Sequence, residues 1–152
     1  MDNDISVLEI AFGRVGTIDL PLWFEVWLDG EKKTAVELND NEMQTVRYEI
    51  PDVEAKHELK FVLAGKTWDY TQTDPEGNVL ADASVLVSSI TLEDLDIRMT
   101  LEENSTYTHA YNKPAPKKGD YETTKLCGIM GCNGEVVMNF ETPAFIWLLE
   151  NL

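Results

Sequence analysis

Residues 57–65 read HELKFVLAG, residues 66–78 read KTWDYTQTDPEGN and residues 79–99 read VLADASVLVSSITLEDLDIRM. Leu59, Phe61 and Leu63 alternate with Glu58 and Lys60 until Gly65 stops the pattern. A two-residue apolar period marks a strand with one face in the core. Residues 84–92 are rich in β-branched side chains and read as a second strand. Between them, Asp74-Pro75-Glu76-Gly77-Asn78 is a turn, because proline presets φ at its first corner and glycine accepts positive φ near its end. Two strands joined by a long polar loop carry no helical periodicity, and the rest of the chain repeats the theme.

Residues 5–12 place Leu8, Ile10 and Phe12 on one face and Ile5, Val7 and Ala11 on the other, which predicts a strand buried on both sides. Leu22, Phe24, Val26 and Leu28 alternate with Trp23, Glu25 and Trp27 before Asp29-Gly30, a hairpin signal. Val46, Tyr48 and Ile50 alternate up to Pro51, which cannot donate to a ladder. Alternation also predicts strands at Leu95, Ile97, Met99 and Leu101, at Tyr107, His109 and Tyr111, and at Val136, Met138 and Phe140. Residues 112–120 (NKPAPKKGD) read as an exposed loop. Thr142-Pro143 reads as the start of a short terminal helix over PAFIWLLENL, with a last strand as the alternative. Nine or ten short strands without a long helix predict an all-β antiparallel sandwich or jelly roll, as one domain over residues 1–152.

Composition limits the function classes. Twelve basic residues stand against 28 acidic ones, a formal net charge of −16. Such a surface repels phosphate backbones and anionic lipid, so nucleic acid is not an expected partner. No run of roughly 18 apolar residues is present, so no membrane insertion is expected. The start, MDNDISVLEI, is acidic where a secretory signal is basic and then apolar, which predicts a chain made as a soluble cytoplasmic protein. Cys127 and Cys132 lack a second pair at zinc spacing and read as free, buried thiols, with a local disulfide as the alternative. No G-x-S-x-G, glycine-rich phosphate loop or H-E-x-x-H is present, and His57 and His109 read as hydrogen-bonded structural residues, so no enzyme is expected.

Acidic clusters and exposed aromatics are the candidates for binding. Asp74, Glu76, Asn78 and Asp82 offer alternating oxygens to Ca2+, which takes six to eight of them from flexible loops. The plain alternative is a turn whose polar side chains satisfy its own backbone. Glu93, Asp94 and Asp96 form a second acidic cluster with the same two readings. Among the aromatics, Trp68 and Tyr70 in the long loop are candidates for stacking a sugar, and Trp23 and Trp27 are candidates for a partner interface, with a sugar-stacking platform about Glu25 as the alternative.

Residues 57–67 and 74–97 resemble calcium-dependent xylan-binding modules, β-sandwiches in which a strand, an Asp- and Asn-rich metal loop and a strand opening on aspartate follow one another. The resemblance implies a metal at Asp74, Asn78 and Asp82 and a carbohydrate ligand. FEVWLDG (24–30), the central stretch and GCNGEVVMNFETPAFIWLLENL (131–152) also resemble small proteins of tailed phages. That likeness implies a virion component, oligomeric or bound to other virion proteins. Together the two imply a non-catalytic accessory module that binds host-surface polysaccharide. The alternative is a structural subunit, such as a head decoration or tail attachment protein, with no small ligand.

Overall fold

The computed structural model describes residues 5–18, 20–66, 72–109, 117, 119 and 121–151. Trp68, Tyr70 and Tyr111 lie outside them, as does nearly all of 110–120.

The strands run β1 (Ile5–Gly16), β2 (Leu22–Leu28), β3 (Glu31–Leu38), β4 (Gln44–Pro51), β5 (Ala55–Ala64), β6 (Gln72–Thr73), β7 (Val79–Ala81), β8 (Ala83–Leu92), β9 (Leu95–Asp96), β10 (Thr106–His109), β11 (Glu122–Thr124), β12 (Ile129–Met130) and β13 (Gly134–Thr142). Two short helices, α1 (Arg98–Glu103) and α2 (Ala144–Glu150), complete the chain. One sheet has the order β12-β8-β1-β4, with β9 paired to β8, and the other β11-β10-β13-β5-β2-β3. Strands β6 and β7 form a separate ribbon. Every pairing is antiparallel. The fold is the expected β-sandwich, and its surplus strands are pieces of two or three residues.

The inner faces follow the apolar alternation. Leu8, Ile10 and Phe12 from β1 meet Leu22, Phe24 and Val26 from β2 and Leu59, Phe61 and Leu63 from β5, all fully or almost fully buried. Phe12 and Phe24 lie 4.6 Å apart between centroids and Phe24 and Phe61 5.5 Å, spacings that favour tilted ring pairs. Asp29 and Gly30 join β2 to β3 with φ of 54° and 79°, and two consecutive positive φ values suit the twist of a two-residue hairpin.

Three local expectations differ from the structure. Only one face of β1 is fully buried: Val7 and Ala11 are half-buried and Ile5 is exposed. The alternation at 95–101 does not continue as a strand. Glu93 and Asp94 make a tight turn with positive φ, β9 ends after two residues, and Asp96 accepts from the Arg98 N–H as α1 begins. Ile97 and Leu101, four apart, are buried while Leu95 and Met99 are exposed, so the helical period governs. The expected burial of the two cysteines also differs: Cys127 is exposed and Cys132 half-buried.

Helix α2 forms as expected, with a different cap. Pro143 is the N-cap rather than the first helical residue, and the Ala144 N–H donates to Asp52 Oδ1 at 3.0 Å. The Ser6 hydroxyl donates to the same oxygen at 2.7 Å, so one carboxylate joins β1, the end of β4 and the helix. Among the described residues, no helix is long and apolar enough to cross a membrane.

Candidate functional site

Antiparallel register sorts the chain into two poles. Trp23, Ala64, Gly134, Gly16 and Ala83 lie at one end of their strands; Leu28, Ala55, Thr142, Ile5 and Pro51 lie at the other. Nine residue steps along β5 separate them, about 30 Å at 3.3 Å per residue.

At the first pole, Trp23 is 48% exposed on the outer face of β2. Its ring lies against Gly65, where a Cβ would come within 2.3 Å of Trp23 Cδ1. Gly65 has φ of +87° and so turns the chain out of β5 into the loop that carries Trp68 and Tyr70. Lys66 then anchors the loop root. Its N–H donates to Asn133 Oδ1 at 3.0 Å, and Asn133 Nδ2 donates back to its carbonyl at 2.7 Å. Its Nζ, on a side chain 9% exposed, donates to the Gly131 carbonyl at 2.6 Å and pairs with Asp82 Oδ1 at 2.8 Å. The Asp82 carbonyl accepts from the Thr17 N–H at 2.9 Å. Buried Arg14 donates to Asn41 Oδ1 and the Leu20 carbonyl, and Asn41 donates to the Gly16 carbonyl. This polar lacing joins segments distant in sequence beside one uncovered indole.

The two tryptophans of β2 are therefore unlike. Trp27 donates its Nε1–H to Glu25 Oε1 at 2.9 Å, and Lys60 Nζ stands 4.5 Å from its ring centroid, with Lys32 Nζ at 5.9 Å. A cation over an indole is attracted by the ring quadrupole. The polar edge and one face of Trp27 are thus already occupied, whereas Trp23 remains available to a ligand or partner.

The oxygen cluster does not converge. Asp74 Oδ1 accepts from the N–H groups of Glu76 and Asn78 at 3.0 and 2.8 Å, and Oδ2 accepts from Asn78 Nδ2 at 3.0 Å. The Asn78 side chain and backbone bonds hold the Asp74 carboxyl below its usual range. Asp82 faces the Lys66 ammonium instead, and no three acidic, histidine or cysteine side chains gather for a metal among the described residues. In this conformation the four residues do not fit a calcium ion, which needs converging oxygens. Glu93 also serves its own surroundings: its N–H donates to the Val7 carbonyl and its carboxylate accepts from the Val7 N–H at 3.1 Å.

The far pole holds a constellation that sequence reasoning missed. His57 Nδ1 lies 2.8 Å from Asp29 Oδ2, and its Nε2 lies 3.0 Å from Thr142 Oγ1. An acid, an imidazole and a hydroxyl in this order have the outline of a hydrolase triad. Thr142, however, is 3% exposed, and its hydroxyl donates to the Val53 carbonyl. The hydroxyl faces no solvent and its proton is committed, so the group ties the β2–β3 turn to the root of α2. His57 also stacks on Phe140 at 5.1 Å, and Phe140 meets Trp147 edge-on at 6.2 Å. His109 is held differently, by Thr124 Oγ1 at 3.2 Å and the Tyr107 ring at 4.5 Å. The Tyr107 hydroxyl donates to the Cys132 carbonyl and accepts from the Cys132 N–H, and burial pushes it above the usual phenol range.

An open cleft of about 470 Å³ is lined by Val7, Lys33, Arg47, Tyr48 and Glu49, away from Trp23. Lys33 pairs with Glu31 at 3.2 Å and Arg47 with Glu9 at 3.8 Å, so its cations already face carboxylates.

No protein-family model and no curated protein matches the chain. A solved structure described as "vCBM60 in complex with galactobiose" superposes with a TM-score of 0.42 and 12% identity, covering 88% of this chain and 98% of that one. The sandwich assignment rests on the strand pairings described above.

Proposed function

We propose that the chain is a non-catalytic carbohydrate-binding sandwich, carried as an accessory protein on a phage particle, whose ligand is a host-surface polysaccharide. One observation carries the binding part: a half-exposed indole, Trp23, set on Gly65 where the aromatic loop leaves the sheet. A sugar ring presents an apolar C–H face, and an indole uncovered on one side offers the matching flat surface. Trp68 and Tyr70 follow Gly65 by three and five residues and supply further rings to the same ligand. The lacing around Lys66 holds the backbone next to Gly65, which limits the ordering cost of binding there. Placement on a particle is proposed on the resemblance noted for residues 24–30, the central stretch and residues 131–152 alone.

The test is a glycan array probed with the wild-type protein and with Trp23→Ala. The expected result is a defined set of polysaccharide hits weakened about tenfold or more in the variant, with unchanged thermal stability. An array without hits, alongside a fixed copy number in purified virions, would replace this reading with a structural subunit. The exposed apolar side of α2 favours that second reading.

A further inference from the structure

Up to its last residue, Glu150, helix α2 is apolar on every side. Ala144, Trp147 and Leu148 pack inward, while Phe145, Ile146 and Leu149 are 61%, 56% and 75% exposed. A helix apolar all round belongs in an interior. Val53, also exposed, lies beside the helix root, where its carbonyl accepts from Thr142. Phe145, Ile146 and Leu149, at helical spacings that make them neighbours, share an uncovered side of α2 at the pole opposite Trp23, and Val53 is exposed at its root.

The helix is held rather than frayed. Asp52 caps its first N–H, Trp147 meets Phe140, and Asn151 Nδ2 donates to the Trp147 carbonyl at 2.8 Å. The backbone that carries Phe145, Ile146 and Leu149 is therefore already in place, and a partner would not have to fold it. Single exposed apolar residues are ordinary, but a contiguous rigid patch marks an interaction site.

Charge selects the partner. Exposed Glu54 adjoins Val53, exposed Glu150 closes the helix, and exposed Glu141 precedes Thr142. Lys56 stands opposite Glu141 in the register, and the whole chain carries −16. A second copy would bring acid against acid around the patch, and an anionic bilayer would be repelled. We propose that the outer side of α2, with Val53, docks a separate protein that presents an apolar stripe flanked by lysine or arginine. The stripe would cover Phe145 and Leu149, and the flanking cations would meet Glu54 and Glu150.

Fluorescently labelled amphipathic peptides test this surface by anisotropy. One carries a leucine stripe flanked by lysine, the second the same stripe flanked by glutamate, and the third lysine flanks with serine in place of the stripe. The first alone is expected to bind, and Phe145→Ser combined with Leu149→Ser should weaken it about tenfold or more. Ile129→Ser, which removes an exposed apolar side chain elsewhere, should leave binding unchanged. If the first double variant does not fold, Val53→Ser with Ile146→Ser probes the same surface. Failure of the lysine-flanked peptide to bind, or equal binding by wild type and the double variant, overturns the proposal. So does a wild-type dimer in sedimentation, or binding to phosphatidylglycerol vesicles, that the double variant abolishes, because the occupant would then be a second copy or a bilayer.

Discussion

The two poles of the sandwich are closed by different physics. At the α2 pole, Trp147 of the helix meets Phe140 edge-on and Phe140 stacks on His57, while Asp52 accepts from the Ala144 N–H and the Thr142 hydroxyl donates to the Val53 carbonyl to fix the helix root. At the Trp23 pole, closure is polar: Lys66, Asn133, Asp82, Arg14 and Asn41 lace loop to loop. Apolar packing is non-directional and scales with buried area, so the first pole should dominate stability. Polar lacing contributes less net energy but specifies geometry, which suits the end that carries the exposed Trp23 ring.

Substitutions can break this contrast. Trp147→Ala should have the largest effect, about 3–5 kcal/mol, because a large buried ring leaves a cavity and releases α2. Calorimetry should register a fall in Tm of about 10 °C for a chain of this size. A loss below about 1 kcal/mol would show that α2 is not the main plug of that pole. Lys66→Met should cost about 2 kcal/mol in chemical denaturation, less than a fully buried pair because Asp82 is partly exposed. An equal or larger loss than for Trp147→Ala would reverse the ranking of the two poles.

Gly65→Ala sharpens the comparison locally. It forces a Cβ into the Trp23 ring at positive φ and should cost about 1–2 kcal/mol while changing the tryptophan emission. An unaltered spectrum would argue against the placement of that ring. The smallest effect belongs to Asp74, at the tip of the loop. Its folded-state carboxyl is held below the usual value by Asn78, so its contribution is present above the unfolded-state pKa and lost as pH falls through the lowered folded value. Urea midpoints of wild type and Asp74→Ala should therefore differ at neutral pH and converge in acid.

Much of the architecture was legible because it depends on neighbours in sequence. The alternation in β2, β5 and β13 places buried residues where a two-residue period requires, and Asp29-Gly30 turns because its backbone tolerates positive φ. Residues 95–101 misled because Ile97 and Leu101 satisfy both a strand and a helical spacing, and the chain leaves β8 for α1 after two paired residues. The site was less legible because its links are remote. Asp52 caps a helix 92 residues away, His57 reaches Asp29 and Thr142 across strands, and Lys66 meets Asn133 67 residues on. Sequence treated Trp23 and Trp27 as a pair; the structure separates them through Lys60, which sits beside Trp27 only by strand register.

The shielded Lys66 ammonium has a practical consequence. Amine-acylating reagents require a free, solvated amine, and this one is folded beneath Gly131 and Asp82. Its labelling rate therefore reports how often the loop root opens. Peptide mapping after graded acylation would time that opening at a single native residue, without an introduced probe.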